Sequence, residues 1–64
     1  MGNRIDTAEV YFEITLIGAS ARVVAIDAVT GIEVTVIGPA KAARTYLERL
    51  ALAKLARALR VRRQ

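Results

Sequence analysis

Three strand-length runs of β-branched and apolar residues, two short glycine-bearing connections between them and a tail dominated by Ala, Leu, Arg and Lys predict an α+β fold. The expected architecture is a three-stranded antiparallel meander sheet followed by one long C-terminal helix packed on one face. Short connections join antiparallel neighbours, and the change of apolar period from two to 3.6 marks the passage from sheet to helix.

The first run, Glu9 to Ile17, sets Val10, Phe12, Ile14 and Leu16 at period two. Arg22 to Ala28 forms the second. Ile32 to Ile37 forms the third, with Glu33 and Thr35 alternating with Ile32, Val34 and Val36. Gly18-Ala19 suits a two-residue type II′ turn, in which the first position takes a positive φ that glycine adopts at little cost. In the second connection Asp27 can bond loop amides, Thr30 suits a bridging position and Gly31 can take the left-handed conformation that returns the chain.

These loop lengths place Ile17 opposite Ser20, Ile14 opposite Val23, Phe12 opposite Ala25, Ala25 opposite Val34 and Val23 opposite Val36. One face then collects Val10, Phe12, Ile14, Leu16, Val23, Ala25, Ile32, Val34 and Val36. The other collects Glu9, Tyr11, Glu13, Thr15, Arg22, Val24, Ile26, Glu33, Thr35 and Ile37. Both loops thus converge on one amphipathic sheet, as a single register requires.

Gly38 ends the third run and Pro39 suits the first helical position, where its missing amide hydrogen costs nothing. A helix from there to Arg62 would span about 36 Å, against about 26 Å for an eight-residue strand. At 100° per residue, Leu50, Val61, Ala43, Leu47, Ala58, Ala51, Leu55, Leu59 and Leu52 fill an arc of roughly 200°, about twice what one sheet needs. The arc divides into a stripe of Ala43, Leu47, Leu50 and Val61 and a stripe of Leu52, Leu55 and Leu59. One is expected to cover the chain's own sheet and the other to meet a second copy.

A chain of 64 residues holds one domain, here 1–64, with 1–8 and 61–64 expected to fray. With no Cys and no His, neither disulfides nor an ordinary zinc or haem site can supplement so small a core. Good packing or oligomerisation must do so instead, and an apolar share of 55% points to a partner. Glu13, Arg22, Asp27 and Glu33 interrupt every apolar stretch short of a membrane span, and Met1 to Asp6 opens no leader-like run. A cytoplasmic location is the expectation.

Charge is unevenly placed. Residues 1–38 carry Arg4 and Arg22 against Asp6, Glu9, Glu13, Asp27 and Glu33, a net −3. Residues 39–64 carry Lys41, Arg44, Arg49, Lys54, Arg57, Arg60, Arg62 and Arg63 against Glu48, a net +7. An acidic sheet and a basic helix attract one another, within a chain or across a dimer.

The succession Val10-Tyr11-Phe12-Glu13-Ile14-Thr15, Val24-Ala25-Ile26-Asp27, Thr30-Gly31-Ile32-Glu33-Val34, Gly38-Pro39-Ala40 and Leu47-Glu48-Arg49-Leu50-Ala51 resembles a family of short, uncharacterised alphaproteobacterial proteins. The resemblance implies a β-β-β-α domain in a bacterial cytoplasm and carries no activity or functional residue with it.

Candidate chemistry is sparse. Glu13 and Glu33 share a sheet face but are separated by the second strand, Asp27 reads as a turn residue, and Ser20 has no base to activate it. No catalytic, cofactor or metal site is expected, and an enzyme is the least favoured class. Gly38-Pro39-Ala40-Lys41 opens a helix but lacks the glycines and Lys-Ser/Thr of a phosphate loop. The leading expectation is a homodimeric interaction module, with exchanged strands or helix as one form. Its contact residues are Leu52, Leu55 and Leu59 on the helix and Tyr11, Val24 and Ile26 on the sheet. The alternative is binding of nucleic acid or an anionic membrane surface through Arg49, Arg57 and Arg60.

Overall fold

The structure, a computed structural model, describes residues 9–63. Strands β1 (Val10–Ile17), β2 (Ser20–Asp27) and β3 (Glu33–Pro39) form an antiparallel sheet in the order β1-β2-β3, and helix α1 (Arg44–Arg63) follows. The expected α+β meander is therefore present. Its register agrees residue for residue: Ile17 faces Ser20, Ile14 faces Val23, Phe12 faces Ala25, Ala25 faces Val34 and Val23 faces Val36.

Both turns form by the chemistry their residues suggest. Gly18 has φ +59° and no other residue of its turn is left-handed, the pattern of a type II′ hairpin. In the second loop the Asp27 carboxylate accepts from the Thr30 amide at 2.9 Å and from the Thr30 hydroxyl at 2.7 Å. The Thr30 hydroxyl oxygen in turn accepts from the Ile32 amide at 3.2 Å. Gly31, at φ +78°, donates to the Asp27 carbonyl, and the Asp27 amide closes the hairpin onto Ile32 at 2.9 Å. Asp27 is buried, and these bonds satisfy a carboxylate that would otherwise be costly there.

The helix starts later than expected. Pro39 ends β3 rather than opening α1, because the Ala40 amide still bonds the Ala19 carbonyl at 2.8 Å and keeps the chain extended past the proline. A turn closed by Ala42 donating to the Pro39 carbonyl then swings the chain over the sheet. Ala43 accepts the first helical bonds from Tyr46 and Leu47. The 20-residue helix is about 30 Å long, so its overshoot of an eight-residue strand shrinks to a few ångströms. The expectation of frayed residues 1–8 falls outside the described residues; α1 persists to Arg63.

α1 lies over β2 and β3. Beneath it β2 presents Ala21, Val23 and Ala25, and the helix presents Leu47, Ala51 and Leu55, all buried. Small residues on both sides permit a close approach. Gly38, paired with Ala21, leaves room for Leu47: a Cβ placed on Gly38 would stand 2.6 Å from the Leu47 Cδ2. Val10, Phe12, Ile14, Val34, Val36 and Leu59 pack around this centre, half-buried.

The two helical stripes need correction. The sheet-facing line is Leu47, Ala51, Leu55 and Leu59, four residues at spacing four, which takes members from both expected stripes. Leu50 and Val61, grouped with Leu47 in the sequence reading, are exposed. The axis of α1 is rotated relative to the expected division, so that the fully buried Ala51 lies on the sheet-facing line between Leu47 and Leu55.

Candidate interaction surfaces

Placement on the fold sorts the residues expected to contact a partner. Leu55 is 2% exposed in the chain's own core and Val24 is 6% exposed, so neither has surface left for another molecule. Leu59 is half-buried against the core, and Leu52 is half-buried beside it on the helix. On the sheet face away from α1, Tyr11 is exposed and pairs in register with the half-buried Ile26. The expected contact set therefore does not form one surface: its helical and strand members lie on opposite sides of the sheet, and two are interior.

Exposed apolar side chains remain at Ile37 on β3, Val29 in the second loop, Tyr46, Leu50 and Val61 on α1, and three residues of β1. Leu16 is 67% exposed although it belongs to the helix-facing row, and Ile17 and Tyr11 are exposed on the opposite face of the same strand. The sequence places Leu16 on the apolar face that the helix meets, but does not specify that the helix sits mainly over β2 and β3. Ile14 and Leu16 line an open cavity of about 430 Å³ together with Ala21, Ala40, Ala42, Arg44 and Leu47. This cavity is the unfilled strip between β1 and the start of α1.

Backbone polarity distinguishes the two sheet edges. The Ala28 amide donates to the Glu9 carbonyl, so odd-numbered residues of β1 face β2 and the N–H and C=O groups of Val10, Phe12, Ile14 and Leu16 point outward. By the same alternation, the Asp27-to-Ile32 bond turns the backbone groups of Glu33, Thr35, Ile37 and Pro39 outward on β3. On that edge the Lys54 ammonium donates to the Thr35 carbonyl at 2.7 Å, and Pro39 has no amide hydrogen to offer. A lysine and a proline are established means of blunting a strand edge. Among the described residues, no strand or side chain bonds the outer edge of β1.

The basic helix divides similarly. Arg44 donates from Nε to Glu48 Oε2 at 2.9 Å, an exposed pair four residues apart, and Lys54 is engaged with β3. Arg49, Arg57 and Arg60 are exposed and fall within an arc of about 80° at 100° per residue. Among the described residues none of the three has a carboxylate partner.

The candidate chemical groups stay apart. Glu13 and Glu33 lie on the two edge strands with β2 between them, Asp27 is held in its loop, and no acidic side chains gather in a ligand cluster among the described residues. The phosphate reading of Gly38 to Lys41 also loses its basis, because these residues precede the helix and the Ala40 amide is already bonded. No helix among the described residues is long and apolar enough to cross a membrane.

A family model described as a domain of unknown function, DUF6898, matches residues 7–63. No curated protein and no solved structure matches the chain.

Proposed function

Because this chain belongs to the DUF6898 family, whose description assigns no activity, its role is argued from its surfaces, and we propose that it is a non-enzymatic interaction module working as a homodimer. The observation that carries the reading is apolar surface uncovered on both faces of β1, with Leu16 exposed on one side and Ile17 and Tyr11 on the other. A core whose fully buried side chains are mostly Ala and Val is small, and in a marginal domain of this size association is one way to add stability. The test is size-exclusion chromatography with light scattering from low to high micromolar concentration. A dimer mass that dilutes reversibly to the monomer supports the reading, and a monomer throughout overturns it.

A second reading rests on Arg49, Arg57 and Arg60, which stand together, exposed and without carboxylate partners among the described residues. Such a row follows the phosphates of a nucleic acid, with affinity falling as salt rises. Fluorescence anisotropy of labelled DNA and RNA at low salt tests it. Binding that is lost in the triple Arg→Gln variant supports it, and no binding by the parent chain removes it.

A further inference from the structure

We infer that the outer edge of β1 pairs antiparallel with β1 of a second copy in one register, Ile14 opposite Ile14, joining two sheets into one of six strands. The inference rests on the homodimer reading and specifies its surface. Three features select this edge. It is eight residues long and its outward amides and carbonyls have no partner among the described residues, whereas β3 has Lys54 on the Thr35 carbonyl and Pro39 at its end. Its apolar side chains are exposed on both faces at once, which a packed face alone would not relieve but an added strand does. The cavity lined by Ile14 and Leu16 leaves part of the helix-facing side of β1 uncovered.

The register follows from elimination. Intermolecular hydrogen bonds must come from Val10, Phe12, Ile14 and Leu16, so a two-fold axis sits on a residue of β1. An axis at Glu13 would set two carboxylates directly opposite, which is destabilising. An axis at Phe12 carries Leu16 and Ile17 beyond the start of the partner's strand at Val10, and an axis at Thr15 carries Tyr11 and Phe12 into the partner's Gly18-Ala19 turn. With the axis at Ile14, Phe12 meets Leu16, Tyr11 meets Ile17 and Glu13 meets Thr15. Every exposed apolar residue of β1 then gains an apolar neighbour, and no like charges face each other. Both helices lie on the same side of the joined sheet, and each Phe12 lies beside the other chain's Leu16, at the mouth of that chain's cavity.

A chain without cysteine makes the test clean. Glu13 and Thr15 are exposed, and in this pairing they occupy a non-hydrogen-bonded site with Cα atoms about 4.5 Å apart, within disulfide reach. The distances from Glu13 to Glu13 and from Thr15 to Thr15 are diagonal, about 7–8 Å, and too long. Glu13→Cys and Thr15→Cys chains, each checked by circular dichroism for the parent fold, are mixed, equilibrated and oxidised. The expected result is a cross-linked dimer in the mixture and none in either variant alone. Self-cross-linking of Glu13→Cys, or a dimer by light scattering that does not cross-link in the mixture, overturns this register and leaves the homodimer reading standing. A parent chain that is monomeric at all concentrations overturns both.

Discussion

β1 and β3 hydrogen-bond to the two sides of the same central strand, and each turns an alternating apolar row toward the helix. The helix sits mainly over β2 and β3, so that Val10, Phe12 and Ile14 of β1 reach the core only at its margin. On the β3 side Leu47 settles over Gly38, Lys54 reaches the Thr35 carbonyl and Pro39 terminates the edge. On the β1 side the same kind of row ends in a Leu16 that is mostly in solvent, next to an open cavity. Two strands of nearly equal sequence character thus acquire different roles. Both lend half-buried residues to the core, but only β1 ends its helix-facing row in solvent, and the difference comes from where a single helix lies.

The largest expected effect comes from the covered side. Leu55→Ala removes the bulkiest fully buried side chain of α1 and is expected to cost ~2–5 kcal/mol in urea denaturation, a large part of what a domain this small possesses. A loss below ~1 kcal/mol would mean that α1 is not anchored over β2 and β3 as described. Gly38→Val probes the contact between β3 and α1: its side chain collides with the buried Leu47, and a cost of ~1–3 kcal/mol is expected. Unchanged stability would show that the contact there is loose.

Asp27→Ala strips the acceptor from the Thr30 amide and hydroxyl in the loop that joins β2 to β3, with an expected loss of ~1–3 kcal/mol. Lys54→Met leaves the exposed Thr35 carbonyl to water and should cost only ~0.5 kcal/mol. Its sharper readout is association, since the β3 edge becomes available and light scattering should detect species larger than a dimer. Smallest of all, Leu16→Ala in dilute single chains should change stability by less than ~0.5 kcal/mol, because the side chain is already in solvent. A loss approaching that of Leu55→Ala would erase the contrast between the two sides.

The hairpins were legible because their determinants are local. Gly18 and Gly31 supply the two left-handed positions, Asp27 and Thr30 bond within their own loop, and fixed loop lengths propagate one register through all three strands. The helix was legible in existence but not in its start, since Pro39 satisfies an edge strand as well as a first helical turn and only the Ala40-to-Ala19 bond decides between them. Leu55 looked available to a partner because an arc of apolar residues about 200° wide does not say which part of it meets the sheet, and Val24 because alternation puts it on the sheet face away from the helix.

Sequence alone determined the strands, their pairing and the acidic and basic halves, because backbone pairing in a meander depends on turn residues and alternation only a few positions apart. Tertiary structure decided the rotation of α1, its seat over β2 and β3 and hence the exposure of Leu16 on β1. Those depend on how closely Ala51, Leu47 and Leu55 approach Ala21, Val23, Ala25 and Gly38. Packing between distant residues is a matter of volume and contact, and no period in the chain encodes it.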